Sequence, residues 1–474
     1  VSTETDPHAS AADADVEVDL SAPRRIHIVG VGGAAMSAIA TVLVTMGHRV
    51  SGSDLAESVA LDRLRSRGVA VAVGHDAANV PGDADLVAVS TAIPGTNPEL
   101  VAARDRGIPV ASRSQLMVAI AAHRHTVAVA GTHGKTTTAS MLAVILADAG
   151  RDPSFVIGGE LRRFGGGAAW SDGDLFVAEA DESDGMFLDL PRHAAIVTNV
   201  EPDHLDHYGG EVARLQAAFA AFVDGTEGPK VVGADDPVAV AIGRAAGART
   251  VGTAPDADDR VVVQDRPGPG IDFAVVRDGA TLAEVQLPMA GRYNARNAAA
   301  ALTMAVELGV APAVAAASLS GFTGVARRFE ARGETGGVTF VDDYAHLPTE
   351  VADAVGAAVE GGWRRVVCAF QPHRYSRTAV RWADFADAFE GVDLLAITDV
   401  YAAGESPRPG VSGLLIVRAV LDRHPWHHVA YLPTLDDVAH YLAGVVRPGD
   451  LCLTLGAGDL TTVPDAVQAR LGSG

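Results

Sequence analysis

Short apolar runs alternate with helix-period stretches along most of the chain, as in RRIHIVG, then AAMSAIATVLVTMG, then HRVSGSD. That is the rhythm of strand, crossover helix and parallel strand. A first unit of this kind is predicted over about 23–122, with further strands near 69–73 and 85–90. A second block opens with HTVAVAG (125–131) and includes FVAEADES and AAIVTNVEPDH. A third begins near Arg327 and runs VTFVDDYAH, RRVVCAFQPHR, DLLAITDVYAAGE and DLCLTLGAGDL. In the last two blocks each apolar run ends in polar residues, the place where open α/β sheets gather ligand groups. Residues 253–288, with APDADDR and DRPGPG, read as irregular antiparallel additions to the central block. No internal repeat of solenoid period is present.

Length supports this division, since 474 residues at roughly 150 per domain make about three domains. The net charge of −22 argues against general binding to a nucleic acid backbone. Two isolated cysteines, Cys368 and Cys452, build neither a disulfide framework nor a zinc site and fit a reducing, cytoplasmic setting. No apolar run approaches the roughly 18 residues of a membrane span, so no membrane insertion is expected. The first residues, VSTETDPHASAADADVEVDL, lack the pattern of a signal peptide and read as a disordered acidic tail over 1–22.

Two glycine-rich turns carry the first chemistry. Gly30, Gly32 and Ala35 stand in G-x-G-x-x-A register after a strand and before a helix, and Asp54 ends the next strand. Such a turn brings backbone close to a pyrophosphate. A nicotinamide cofactor and a uridine diphosphate sugar both offer one. AGTHGKTTT (130–138) also lies between a strand and a helix. It is a shortened phosphate loop, with Val129 where the longer motif has its first glycine. Its backbone can cradle ATP phosphates, Lys135 can neutralise their charge and Thr136 can hold Mg²⁺. Only Lys135 and Lys230 are lysines, which singles out positions where arginine is a poor substitute.

Glu179, Asp181, Glu182, Asp203 and His204 follow apolar strands and could place oxygen ligands for Mg²⁺ near that loop. In the third block, DDYAHLPTE, FQPHRYSRT and YAAGE bring Tyr344, His346, His373, Arg374 and Arg377, suited to gripping a carboxylate and orienting a small amine. Asn294, Asn297, Arg327 and Arg328 read as helix-start and hinge positions near a nucleotide.

Taken in order, IHIVGVGGAAMSAIA, SGSD, AVSTAIPGTNPE, AGTHGKTTT, EADESD, TNVEPDHLDHY, GRYNARNA, GVARRFE, DDYAHLPTE, FQPHRYSRT, YAAGE and LGAGD resemble the Mur ligase family. These are ATP-dependent enzymes that build the peptide stem of bacterial peptidoglycan. The resemblance runs from about Arg24 to Gly458. It implies three α/β domains: Rossmann-like (23–122), central P-loop ATPase-type (123–326) and C-terminal Rossmann-like (327–474).

It also implies that Gly32, Gly33, Asp54, His75 and Ser90 contact a UDP-sugar. Gly131, Thr132, Gly134, Lys135, Thr136 and Thr137 would serve ATP, joined by Asn294 and Arg328. Thr136, Glu179 and His204 would hold Mg²⁺, and Tyr344, His346, Arg374 and Arg377 would form the amino-acid pocket. Lys135, Glu179, His204 and His346 would be the catalytic groups.

FQPHRYSRT and YAAGE resemble the alanine-adding branch. The implied reaction joins L-alanine to the lactyl carboxylate of UDP-N-acetylmuramate through an acyl phosphate, by a monomer or homodimer. A ligase recycling the murein tripeptide is similar in the first two domains but differs around the arginine segment. A nicotinamide oxidoreductase would use the first glycine turn but leave Lys135 and Glu179 without a role. Leu347 departs from the family, which usually has a second histidine there. Sister ligases acting later carry a carbamylated lysine where LQAAF (215–219) ends in phenylalanine.

Overall fold

The computed structural model describes residues 16–472, apart from 91–92, 206 and 265–269. Residues 1–15 of the expected tail lie outside the described residues. The remainder of that tail is packed: Leu20 is buried, and the Val16 carbonyl accepts a hydrogen bond from the Gln115 side chain. The expectation of disorder through 22 is corrected there, because the apolar positions of VEVDL find a core.

Contacts divide the chain into two compact units. The described residues within 1–260, 277–279 and 298–318 form the first, and those within 261–276, 280–297 and 319–474 form the second.

The first unit begins with a parallel sheet in the order Ala70–Val73, Arg49–Asp54, Arg25–Val29, Leu86–Val89, Val110–Ser112. Ile26 and Ile28 face one apolar cluster, while Val29, Val87 and Val89 face another. Burial on both faces explains the continuous apolar runs. The helix Ala34–Thr45 turns Met36, Ile39, Ala40 and Leu43 inward at helical spacing. Strand order reverses between Arg25–Val29 and Leu86–Val89, which opens a crevice at their carboxyl ends.

In the same unit His125–Ala130 lies between Ala194–Val197 and Leu175–Glu179, parallel to both. The register sets Val129 opposite Glu179 and Ala130 opposite Val197. Helix Lys135–Asp148 is buried from Thr136 to Leu146, so the phosphate loop is anchored by a central element of the core. Residues 253–288 hold regular strands, Asp259–Gln264, Ile271–Arg277 and Ala280–Leu287, and Val251 pairs with Asp259 in parallel. These regular strands correct the expectation of irregular structure, and the Val251–Asp259 pairing departs from the antiparallel expectation, while 265–269 of DRPGPG lie outside the described residues.

The second unit contains a sheet ordered Glu330–Thr335, Val338–Asp343, Asp450–Leu455, Arg365–Phe370, Leu394–Ile397, Val429–Tyr431. Its first strand is antiparallel and the rest are parallel. Cys368 and Cys452 are free thiols, fully buried on neighbouring strands. Among the described residues no helix is long and apolar enough to cross a membrane.

Candidate active site

At the first glycine turn, the Gly32 amide donates to Asp54 Oδ2 at 2.8 Å and the Leu55 amide to Asp54 Oδ1 at 2.8 Å. A β-carbon on Gly32 would lie 2.8 Å from Asp54 Oδ2, so a larger residue there would displace the Asp54 carboxylate from the turn. Gly33 starts the helix Ala34–Thr45, leaving backbone amides at the crevice. Ser90 meets the turn from the other side of the switch point, its amide bonded to the Val29 carbonyl.

His75 belongs to a buried network. Its Nδ1 is 3.0 Å from Ser53 Oγ, and Ser53 donates to Glu99 Oε2 at 2.6 Å. Asn79 and the Asp76 amide donate to Glu99 Oε1, and His27 Nε2 lies 3.2 Å from Oε2. Glu99 is fully buried. Burial alone would raise its pKa, but the hydrogen bonds from His27, Ser53 and Asn79 outweigh it and hold the carboxyl at about 2.

The phosphate loop is stabilised by the strand beside it. Gly131 adopts φ +131°, and a β-carbon there would strike Thr198. The Thr132 amide donates to the Asn199 carbonyl, the His133 amide to Asn199 Oδ1, and the Glu201 amide to Thr132 Oγ1. Gly134, at φ +78°, precedes the helix. Thr137 is buried in the helix's first turn.

Lys135 Nζ donates to the Gly131 carbonyl at 2.6 Å and to Glu182 Oε2 at 2.9 Å. Burial disfavours the ammonium, yet the charges of Glu182, Asp181 and Glu179 overcome this and hold its pKa above the usual value. Burial pushes the Glu182 carboxyl up. Thr136 Oγ1 donates to Glu179 at 3.0 Å, and the Gly158 amide holds Glu179 Oε2 at 2.8 Å.

Thr136 and Glu179 therefore present adjacent hard oxygen donors, a chemistry suited to Mg²⁺. His204, expected beside them, pairs with Asp203 at 3.4 Å from a backbone at φ +50°. Among the described residues no group of three or more His, Cys, Asp or Glu side chains is assembled for a metal.

A cavity of about 180 Å³ adjoins Glu179 and Asp181 and reaches Ala35 and Arg113 of the first sheet domain. The second lysine of the chain does different work. Lys230 Nζ donates to the Ala246 carbonyl at the end of helix Pro237–Ala245, a capping role.

In the second unit the strand ends gather the expected polar residues. His346 lies edge-on to both Tyr344 and His373, and His373 stacks on Tyr401 at 5.8 Å. Arg377 reaches His373 Nδ1 at 3.0 Å. Burial and then the neighbouring charges lower the His373 pKa to about 3, leaving an uncharged acceptor for that guanidinium. Arg374 takes φ +67°, with its amide on the Tyr401 carbonyl. Ser376 is held by Glu405 of YAAGE through both its amide and its hydroxyl.

Arg328 covers the Tyr344 ring at 5.0 Å, and Asn294, almost fully buried, donates to the Ala290 carbonyl. Leu347 is buried at the start of helix Pro348–Glu360. His346 Nδ1 faces Glu350 at 3.2 Å.

Family profiles match all three domains. The Mur ligase family catalytic domain matches 25–125, the Mur ligase middle domain 129–305, and the Mur ligase glutamate ligase domain 327–458. The chain belongs to the Mur ligase family. A relative from Kineococcus radiotolerans named UDP-N-acetylmuramate–L-alanine ligase is 48% identical over 450 residues, 93% of this chain and 94% of the relative. One of the same name from Acidothermus cellulolyticus is 47% identical, over 94% of this chain and 95% of its own length. The crystal structure of UDP-N-acetylmuramate–alanine ligase from Thermotoga maritima superposes with a TM-score of 0.82 at 28% identity, covering 95% of this chain and 99% of that one. A murein peptide ligase from Psychrobacter arcticus reaches 0.69 at 26% identity, with the same coverage.

Within this Mur ligase the structure brings Gly32 to Asp54, Lys135 to Glu182, Thr136 to Glu179, and Tyr344, His346, His373 and Arg377 into one cluster. Sequence reasoning passed over Glu99 and Arg113. The TNPE segment, in which Asn97 caps the helix Pro98–Asp105, is the available signal for Glu99, and nothing local marks Arg113.

Proposed function

We propose that this Mur ligase joins L-alanine to the lactyl carboxylate of UDP-N-acetylmuramate at the expense of ATP. The observation that carries the reading is the loop from Gly131 to Thr136. It aims Lys135 at the buried Glu182 and Thr136 at Glu179, which lines a cavity that also touches Ala35 and Ile39 of the glycine-turn helix. The names of relatives 43–48% identical over most of the chain supply the substrates.

The lactyl carboxylate attacks the γ-phosphorus, the bond to the bridging oxygen breaks, and ADP leaves. The alanine amine then attacks the acyl carbon of the acyl phosphate and inorganic phosphate departs. In this reading Gly32, Gly33, Asp54, His75 and Ser90 line the UDP-sugar site, with Asp54 stiffening the turn. Gly131, Thr132, Gly134 and Thr137 cradle ATP phosphates, and Asn294 and Arg328 serve the nucleotide. Lys135 exchanges its Gly131 and Glu182 partners for phosphate oxygen, which compensates charge where it moves. Thr136 and Glu179 would hold Mg²⁺, with His204 as a third ligand, and the ion would screen the phosphates when bound. Tyr344, His346, Arg374 and Arg377 bind alanine, with Arg377 oriented by neutral His373. We place this activity in the cytoplasm.

Phosphate release tests the assignment. It should require ATP, UDP-N-acetylmuramate and L-alanine together. Release with the tripeptide but not with alanine would favour a recycling ligase, and saturable binding of reduced nicotinamide would favour an oxidoreductase.

A further inference from the structure

The cavity between the first glycine-turn domain and the phosphate-loop domain has apolar walls, including Ile39, Met117 and Phe187. Among its described lining residues Arg113 is the cation, while Glu179 and Asp181 are carboxylates. Arg113 opens the helix Arg113–Ala121, whose start is held by reciprocal Ser112–Gln115 hydrogen bonds. From this fixed base its guanidinium crosses to the other domain and meets Asp181 Oδ2 at 3.1 Å.

The two side chains are 24% and 37% exposed, so the pair contributes little to stability. A substrate carboxylate entering this cavity meets negative charge already in place. The Arg113 guanidinium, shared with Asp181 or released from it, is the lining cation that can compensate the entering anion.

We propose that Arg113 is the specificity-determining contact for the acyl substrate, releasing Asp181 to pair with the lactyl carboxylate at the cavity. This rests on the ligase reading above. It assigns to Arg113 the discrimination between UDP-N-acetylmuramate and UDP-N-acetylglucosamine, which lacks the lactyl group. The planar fork of arginine suits a carboxylate better than the point charge of lysine.

The test is calorimetry on the full chain with each UDP-sugar, for wild type, Arg113→Gln and Arg113→Lys. Arg113→Gln should weaken UDP-N-acetylmuramate by about tenfold or more and leave UDP-N-acetylglucosamine within about threefold, as expected for loss of one charge-assisted contact. Arg113→Lys should recover part of the difference. Equal losses for both sugars, or an unchanged ratio, in folded protein would overturn the proposal. Should Arg113→Gln fail to fold by circular dichroism, Arg113→Lys decides alone: a selective loss for the lactyl sugar supports the proposal and none overturns it. Absence of turnover with UDP-N-acetylmuramate in the wild type would instead overturn the underlying ligase reading.

Discussion

The Lys135 ammonium stands 2.9 Å from Glu182, a residue 47 positions further along the chain and almost fully buried. The phosphate-loop lysine is therefore not a solvated charge awaiting its ligand. It is the counter-ion of a buried carboxylate, and the two roles can be separated.

Lys135→Ala should reduce ligase turnover by about 10²–10³, the effect of losing a comparable electrostatic stabiliser. It should also lower stability by roughly 3 kcal/mol, because a broken buried pair leaves an uncompensated charge. The double variant Lys135→Ala/Glu182→Gln should regain melting temperature without regaining turnover. UDP-N-acetylmuramate, titrated without ATP, should still bind the folded single variant. Loss of that binding would contradict separate sites for the UDP-sugar and ATP.

Glu99 makes a pH-dependent contribution with a definite sign. Its folded pKa of about 2 lies below the ordinary 4.5, so its stabilisation is present above pH 4.5 and is lost as pH falls from there through about 2. Glu99→Gln should flatten the dependence of denaturant stability on pH across that window, by on the order of 2–3 kcal/mol. Parallel curves for the two proteins would show that the network around Glu99 does not favour its ionised form.

Arg377→Ala should impair amino-acid use more than nucleotide use. A charge-assisted carboxylate contact contributes roughly 1.5–3 kcal/mol, so the KM for L-alanine should rise by about tenfold or more. Steady-state kinetics varying each substrate in turn would check this. A change confined to the KM for ATP would move the alanine pocket away from the His373–Arg377 cluster.

Turnover should be independent of bicarbonate. The resemblance places the modified lysine of sister ligases at Phe219, which is fully buried with its ring 5.3 Å from Phe187. Rate measurements in carbon-dioxide-depleted and bicarbonate-supplemented buffer should agree. A loss restored by bicarbonate would require another carbamylated amine, and Lys135 and Lys230 are the only lysines.

Much of the molecule was legible in the sequence because the signals are local. The turn at Gly30–Gly33 and the loop at Gly131–Thr136 stand out through glycines at fixed spacing between an apolar run and a helical one, and motif order identified the family. Alternation of strand and helix patterns was enough for three α/β domains, because burial on both faces of a parallel strand leaves a continuous apolar run. The scarcity of lysine singled out Lys135 and Lys230 alike, and the structure separates them: Lys135 pairs with Glu182 beside the Gly131–Thr136 loop, whereas Lys230 caps a helix.

What the tertiary structure decided is which partner each polar group takes. His27 meets Glu99 across 72 residues of chain and Arg113 meets Asp181 across 68, whereas Thr136 finds Glu179 because parallel register sets Val129 beside it. Asp54 folds back on Gly32 and Leu55, and Leu20 draws the end of the acidic segment into the core. Periodicity and spacing describe neighbours along one element. A buried charge selects its counter-charge only after strand order and register have set the distance between them, and these depend on how whole faces pack.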